Sequence, residues 1–462
     1  MGVSLERLRD SWRTLMGDAT ILEPPEEEPI DIVSGEALDL VLRVGELLLA
    51  SGEATERVNE SMLSLAVAYE LPRCEVSVTF TVISVSVHPG RGALPVTGAR
   101  AIRRRNPAYW RLVALHSLIQ EASIGLLDVE EAHDRLRRIK RSLPPYGAPY
   151  PPWLGVIALG LIASSAGVLV GGGLLVAGTA FVATVLGDRA AAMLGRRGIA
   201  EFFQLAVAAS IGTASAVLVI AAGAPANAST IVTGAVVALL PGRPLVASIQ
   251  DGITGDLVSA GARLLEVFFI VAAIVSGLGL TVYAAVHLGV PIDVRDLPAA
   301  PVTLRPVAVL AAAAVSMTFA VALAVPRRVL PAAALGGALI WVVYVFARGL
   351  GAAPLLAAAV GAVIVGLLGH LLARRRQLPP LPYIVPAIAP LLPGTAVYRG
   401  MIQLNDGAAS EGVLTLIGGI SVALALGAGV NLGGELVRAF QRVGVGGSGR
   451  GARPAARRTR GY

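Results

Sequence analysis

The sequence predicts an α-helical polytopic membrane protein, with about ten transmembrane helices in two inverted five-span repeats after a small soluble α+β domain. Three observations carry that prediction. First, 55% of the 462 residues are hydrophobic and only 15% are charged, with a mean hydropathy of +0.71, whereas a soluble domain carries about 25% charged residues. Second, the runs Trp153 to Gly187 and Phe202 to Gly242 contain no ionisable residue. At about 1.5 Å per helical residue, each exceeds one crossing of a ~30 Å hydrocarbon core. Third, one motif occurs twice, each time just before the last span of a half.

Residues 1–30 carry the Pro24-Pro25 pair and the acidic run Glu26 to Glu28 without an apolar period, as a disordered segment does. They also lack the apolar stretch of a signal peptide. A soluble cytoplasmic domain is expected over 31–147. Leu38, Val41, Val44 and Leu48 recur at helical spacing, and so do Val58, Met62, Leu65 and Tyr69 beyond the break at Ser51-Gly52. Val76, Val78, Phe80 and Val82 then alternate with polar residues, the mark of a half-buried strand. The phase slips at Val82-Ile83, which predicts a bulge or two strands. Two amphipathic helices, about Pro107 to Gly125 and Val129 to Leu143, complete the domain.

Membrane repeat one is expected over 152–290. Gly171-Gly172-Gly173 divides its first charge-free run, Gly223-Ala224-Pro225 divides the second, and a fifth span runs from Glu266 to about Val286. Repeat two, over 300–440, holds apolar runs at Pro306 to Val325, Val329 to Ala347, Gly349 to Gly369, Leu381 to Leu392 and Val413 to Gly434. The tail 444–462 is Gly/Arg-rich and reads as disordered.

The net charge of +7 is almost wholly arginine, Lys140 being the only lysine. The arginines flank apolar runs rather than forming a nucleic-acid face. With ten crossings, Arg189, Arg196, Arg197, Arg327, Arg328 and Arg374 to Arg376 fall on the side of the soluble domain, so both termini are expected in the cytoplasm of a bacterial cell. The lone Cys74 excludes an intramolecular disulfide and a thiolate zinc site. No cofactor and no metal are expected.

In the first half Leu239-Leu240-Pro241-Gly242 is followed by Ile249-Gln250 and then by Asp251-Gly252, with Asp256 closing the motif. In the second, Leu391-Leu392-Pro393-Gly394 is followed by Ile402-Gln403, Asp406-Gly407 and Glu411. The common form is LLPG, then IQ, then DG-x3-[DE]. Two halves of five spans each must lie in the membrane with opposite topology, placing one LLPG toward the cytoplasm and the other outside. Inverted repeats with Pro/Gly-interrupted segments at matching positions are a transporter signature, and the interruptions point to the substrate site.

The chain also resembles the threonine/serine exporter family. The resemblance rests on Gly45-Glu46-Leu47-Leu48-Leu49-Ala50-Ser51-Gly52-Glu53-Ala54-Thr55-Glu56-Arg57-Val58, on the Gly171 to Gly173 cluster, and on LLPG with its acidic sequel in both halves, and it covers about residues 35 to 440. It implies a plasma-membrane exporter of threonine and serine driven by the proton motive force, whose partners are a small polar solute, protons and the bilayer. Homo-oligomer formation is left open, as is export of dicarboxylates such as succinate. A channel or a membrane-anchored hydrolase are the readings from other classes.

Asp251, Asp256, Asp406 and Glu411 are the candidates for substrate or proton coupling, because a carboxylate near the membrane is costly and tends to be functional. The competing reading makes them helix caps or solvated loop charges. Their spacing of five puts the acids of each motif on different helical faces. Pro241, Gly242, Pro393 and Gly394 are candidates for helix breaks that free backbone groups for substrate, against ordinary helix ends. Gly171, Gly172 and Gly173 are candidates for the same role, against close helix packing. Glu266, Asp188, His370 and Glu435 flank apolar runs, where charges are usually solvated. Cys74, His88, Ser51 and Glu53 would be the raw material of a hydrolase, yet no GxSxG elbow is present and no base can be matched to a nucleophile.

Overall fold

The computed structural model describes residues 32–88, 94–102, 108–224, 227–290, 304–405 and 407–444. The first described elements form a helical hairpin, α1 (Ile32–Ala50) and α2 (Thr55–Ala68). The turn between them holds Gly52 at φ 96°, a left-handed backbone that a side chain resists. A three-stranded antiparallel sheet follows, β1 (Cys74–Val78), β2 (Val82–Val87) and β3 (Val96–Ala101), in that order.

The phase slip at Val82-Ile83 marks two strands rather than a bulge, since Thr79 to Thr81 turn the chain between β1 and β2. β2 is central, pairing Val76 with Val85 on one side and Val85 with Gly98 on the other. Its alternation buries Ile83, Val85 and Val87. β3 was not anticipated, because Val-Thr-Gly-Ala-Arg-Ala carries almost no apolar alternation; it forms because β2 offers it an edge and α1 covers it. Helices α3 (Tyr109–Ser123) and α4 (Val129–Arg141) close the domain. The Asp128 carboxylate caps α4 by accepting from Glu131 N at 2.7 Å. Leu40, Met62, Leu65, Ile83, Leu115 and Ile139 form its core.

The first membrane half contains α5 (Pro152–Leu169), α6 (Leu174–Arg196), α7 (Glu201–Ala221), α8 (Ala228–Val237), α9 (Gly242–Ile253) and α10 (Leu257–His287). The second contains α11 (Pro306–Ala322), α12 (Leu330–Gly349), α13 (Pro354–Arg375), α14 (Leu381–Ile388), α15 (Gly394–Asn405) and α16 (Ala409–Gly444). Among the described residues seven helices are long and apolar enough to cross a bilayer: α5, α6, α7, α10, α12, α13 and α16. Their outward faces leave Phe268, Phe269, Leu280, Leu335 and Phe346 more than half exposed, surfaces that lipid covers and water would not tolerate at this extent. This is a multi-pass membrane protein.

The expectation of ten full spans is met only in part. Three further apolar helices, α8, α11 and α14 with its 3-10 extension to Leu391, are shorter. α8 has 10 residues, which rise about 15 Å, half of a ~30 Å core. The span expected to start at Glu266 starts instead at Leu257. The helix continues through Arg263 because that charge is buried and paired, as described below.

The N-terminal α+β domain packs on one end of the membrane helices. Tyr109 N and Trp110 N, at the start of α3, donate to Leu323 O and Ala324 O just beyond α11 at 3.0 and 3.1 Å. Unsatisfied amides of one helix start thus meet unsatisfied carbonyls of another helix end. Gln120 Nε2 donates to Gln377 Oε1 at 3.1 Å, beyond the end of α13. Arg327 donates to Pro149 O at 3.1 Å, just before α5. The N-terminal domain therefore meets the ends of α11 and α13, and α5 starts beside them.

Candidate functional site

Both LLPG segments interrupt helices. α8 stops at Val237 and α9 restarts at Gly242, while α14 and its 3-10 turn stop at Leu391 and α15 restarts at Gly394. Proline removes the amide that a continuous helix would need, and glycine lets another chain come close. The closeness is reciprocal: a Cβ placed on Gly242 would lie 2.6 Å from Leu392 Cδ1, and one on Gly394 would lie 2.6 Å from Val237 Cγ2 and 3.3 Å from Leu240 Cδ1. Each break packs on the other. The two breaks are therefore direct neighbours in the fold.

Beside this contact is a cavity of about 340 Å³. Pro393, Thr395 and Thr415 of the second half line it, with Thr233 of α8 and with Trp341 and Tyr344 of α12. Thr415 Oγ1 donates to Gln403 Oε1 at 2.6 Å, so the IQ glutamine is held close by. The Trp341 indole N–H is buried and donates to no acceptor among the described residues. Irregular backbone at membrane depth is tolerated where it is buried or lines a cavity, and here it does both.

The second constellation joins the domains. Asp251 on α9 is fully buried, and its Oδ2 accepts from Arg263 Nε of α10 at 2.7 Å. Its Oδ1 accepts from Thr55 N at 3.1 Å and from Thr55 Oγ1 at 3.0 Å. Arg263 also donates to Glu53 O at 3.2 Å and lies over the Phe80 ring, 5.3 Å from its centroid. The turn that the Gly52 backbone permits therefore delivers Glu53 and Thr55 to a buried ion pair on the membrane part. Removing one member would leave the other charge uncompensated. Glu53 itself is buried, and that burial pushes its carboxyl above the ordinary range, with the guanidinium of Arg57 opposing the shift.

The remaining predicted residues fall apart spatially. Asp256 caps α10 by accepting from Ser259 N at 3.1 Å. Glu411 is exposed in the first turn of α16, and Asp406 lies outside the described residues. Gly171, at φ 101°, and Gly172 turn the chain between α5 and α6, and Gly173 caps α6. Leu169 and Val170, immediately before the cluster, line the central cavity. His370 is more than a boundary charge: its Nε2 lies 3.4 Å from Arg57 Nη2. In the soluble domain burial pushes the Cys74 thiol up, with the Glu75 charge adding to it, away from the thiolate that nucleophilic chemistry uses.

Residues 39–284 match the family described as "Putative threonine/serine exporter", and residues 308–434 match "Threonine/Serine exporter, ThrE". The chain belongs to the threonine/serine exporter family. It is 33% identical over 424 residues to the "Probable threonine/serine exporter" of Mycobacterium tuberculosis (strain ATCC 25618 / H37Rv), covering 90% of this chain and 79% of that relative. It is 31% identical over 450 residues to the "Threonine/serine exporter" of Corynebacterium glutamicum, covering 94% and 91%. No solved structure matches it. For a threonine/serine exporter family member the extent of the first match is informative: it takes in the soluble domain and the first membrane half together, the two parts that Asp251, Arg263 and Thr55 bind to each other. Arg263 and Trp341 were missed in the sequence reading. Arg263 precedes Glu266, where the fifth span is expected to begin, and twelve residues separate it from Asp251 with no periodic signal linking them. The one available clue was that α10 becomes apolar already at Leu257.

Proposed function

We propose that this chain exports threonine and serine across the bacterial plasma membrane by proton antiport, with the soluble domain and both termini in the cytoplasm. The carrying observation is the reciprocal contact of the two LLPG breaks beside a cavity sized for a small solute. Broken helices expose backbone amides and carbonyls that recognise a carboxylate and an ammonium in a region otherwise poor in charge. Thr233, Thr395 and Thr415 would meet a substrate hydroxyl, and the Trp341 N–H a substrate oxygen. The names of the two relatives supply threonine and serine as the substrates to test.

The inverted arrangement is supported by direction: α5 and α10 start at the soluble domain, whereas their counterparts α11 and α16 end there. Arginines 327, 328, 374, 375 and 376 cluster at the helix ends on that same face, which favours a cytoplasmic soluble domain. For proton coupling the geometry favours Asp251, a buried carboxylate held at the domain junction by Arg263 and Thr55. Asp256 is already engaged as a cap. Pro241, Gly242, Pro393 and Gly394 form the substrate-site backbone in this reading, with the Gly171 to Gly173 turn at its border.

Efflux of preloaded radiolabelled threonine and serine from proteoliposomes, with and without an imposed proton gradient, tests this. Gradient-driven efflux is expected. Flux indifferent to the gradient would remove the antiport and favour a channel. Absence of flux for both amino acids would remove the substrate and turn attention to dicarboxylates.

A further inference from the structure

A second cavity, of about 220 Å³, lies between the soluble domain and the membrane part. Glu56 and Arg57 line it from α2, Gln250 and Thr254 from the α9 end, His370 from α13, and Asn431, Glu435 and Arg438 from α16. It exists only because the domains are docked, and both membrane halves contribute. Its chemistry is opposite to that of the central cavity, whose wall holds no charged side chain among the described residues. Here two guanidiniums and an imidazole stand with two carboxylates around one small space.

We propose that this interdomain cavity is a loading site that takes an α-amino acid by its two charged ends before the solute reaches the central cavity. The inference rests on the export reading above and deepens it. A zwitterion leaving water needs an acceptor for its ammonium and donors for its carboxylate, because an unpaired charge is expensive to desolvate. Arg57 and Arg438 supply donors, and Glu56 and Glu435 supply acceptors. The guanidinium is positioned: Arg57 Nη2 lies 3.4 Å from His370 Nε2, and His370 Nδ1 lies 2.8 Å from Gly366 O. With the proton on Nδ1, the ring donates to that carbonyl and its Nε2 accepts from Arg57. Glu435 and Arg438 form an ion pair one helical turn apart on α16, which a bound zwitterion can open by offering each partner its complement.

The cavity also borders the far end of the helix that one break starts. Gln250 and Thr254 flank Asp251 on α9, and α9 begins at Gly242, against Leu392 of the opposite break. α16 lines both cavities, with Thr415, Gly418 and Val422 in the central one and Asn431, Glu435 and Arg438 here, so a solute bound between α2 and the α9 end lies against a helix that continues into the central cavity. A volume of about 220 Å³ admits a small amino acid.

The test uses the full-length protein with Cys74→Ser, which removes the only native thiol. Thr254→Cys is introduced in the interdomain cavity, or Thr395→Cys in the central one, and labelling by a small thiol reagent is timed with and without threonine. At threonine concentrations about ten times the dissociation constant, labelling at both positions is expected to slow about tenfold, as occupancy dictates. Adding Arg57→Gln is expected to abolish protection at position 254 while protection at position 395 persists, which also shows that the variant is folded; Glu435→Gln serves as the second variant. Protection at 395 but not at 254 would overturn the loading site and leave the export reading standing. Protection at neither would remove that reading itself. Protection at 254 that requires no threonine and vanishes on delipidation would assign the cavity to a phospholipid headgroup instead, and overturn the proposal.

Discussion

The two copies of the LLPG motif share a backbone and differ in the fate of their acids. In the first copy Asp251 is withdrawn from solvent and paired with Arg263, and the soluble domain closes over it through Thr55. Of the motifs' second acids, Asp256 caps α10 by accepting from Ser259 N, whereas its counterpart Glu411 stands exposed in the first turn of α16. A shift of 155 residues superposes Asp251-Gly252 on Asp406-Gly407 and Asp256 on Glu411, and it brings Arg263 onto Gly418. The second half thus lacks the arginine, and Gly418 lines the central cavity instead. The repeat encodes the breaks; the soluble domain makes the two halves chemically unequal.

That contrast can be broken most forcefully at the ion pair. Arg263→Leu strands a buried carboxylate and should destabilise the protein by about 3–5 kcal/mol, whereas Glu411→Gln should leave the unfolding midpoint unchanged. Thermal unfolding of the full-length protein in detergent reads both, and equal effects would erase the asymmetry. The breaks should behave in the opposite way, as equals. Gly242→Val and Gly394→Val each push a side chain into the facing break, and overpacking of this kind costs about 1–3 kcal/mol. Threonine flux should fall in both variants; a loss confined to one would mean that only one break serves the solute path.

The caps give a smaller effect. Asp256→Ala removes the bond to Ser259 N and should cost about 1 kcal/mol, more than Glu411→Ala, whose position is not that of a cap. The smallest effect concerns pH. Because burial raises the Glu53 carboxyl above the 4.5 of an exposed glutamate, the folded chain keeps this proton to higher pH than the unfolded chain. The stability linked to Glu53 is therefore complete below about pH 4.5 and is lost as pH rises through the raised value. Glu53→Gln should flatten that part of the curve of unfolding temperature against pH, and an unaltered slope would count against the buried acid.

Much of the architecture could be read before any coordinates. Charge-free runs located the membrane helices, since a bilayer core charges heavily for ions, and period-two alternation located β2. The strand β3 escaped because Gly98 and its small neighbours pack well only under Leu42 of α1, a contact that no local pattern records. Among the candidate residues Asp251 and the LLPG glycines were legible through repetition. Arg263, Thr55 and Trp341 were not, because nothing near them in sequence states what they touch.

By itself, the sequence determined that this chain lives in a membrane, that one LLPG motif recurs before the last long helix of each half, and where its helices break. Composition, periodicity and proline act locally, so they survive without knowledge of the fold. Only the tertiary structure decided that the breaks pack on each other, that the N-terminal domain is bound through a buried Asp251–Arg263 pair, and that α16 runs along two cavities of opposite polarity. Those features depend on contacts between residues far apart in the chain, and a hydrogen bond or a close approach is fixed by distance in space.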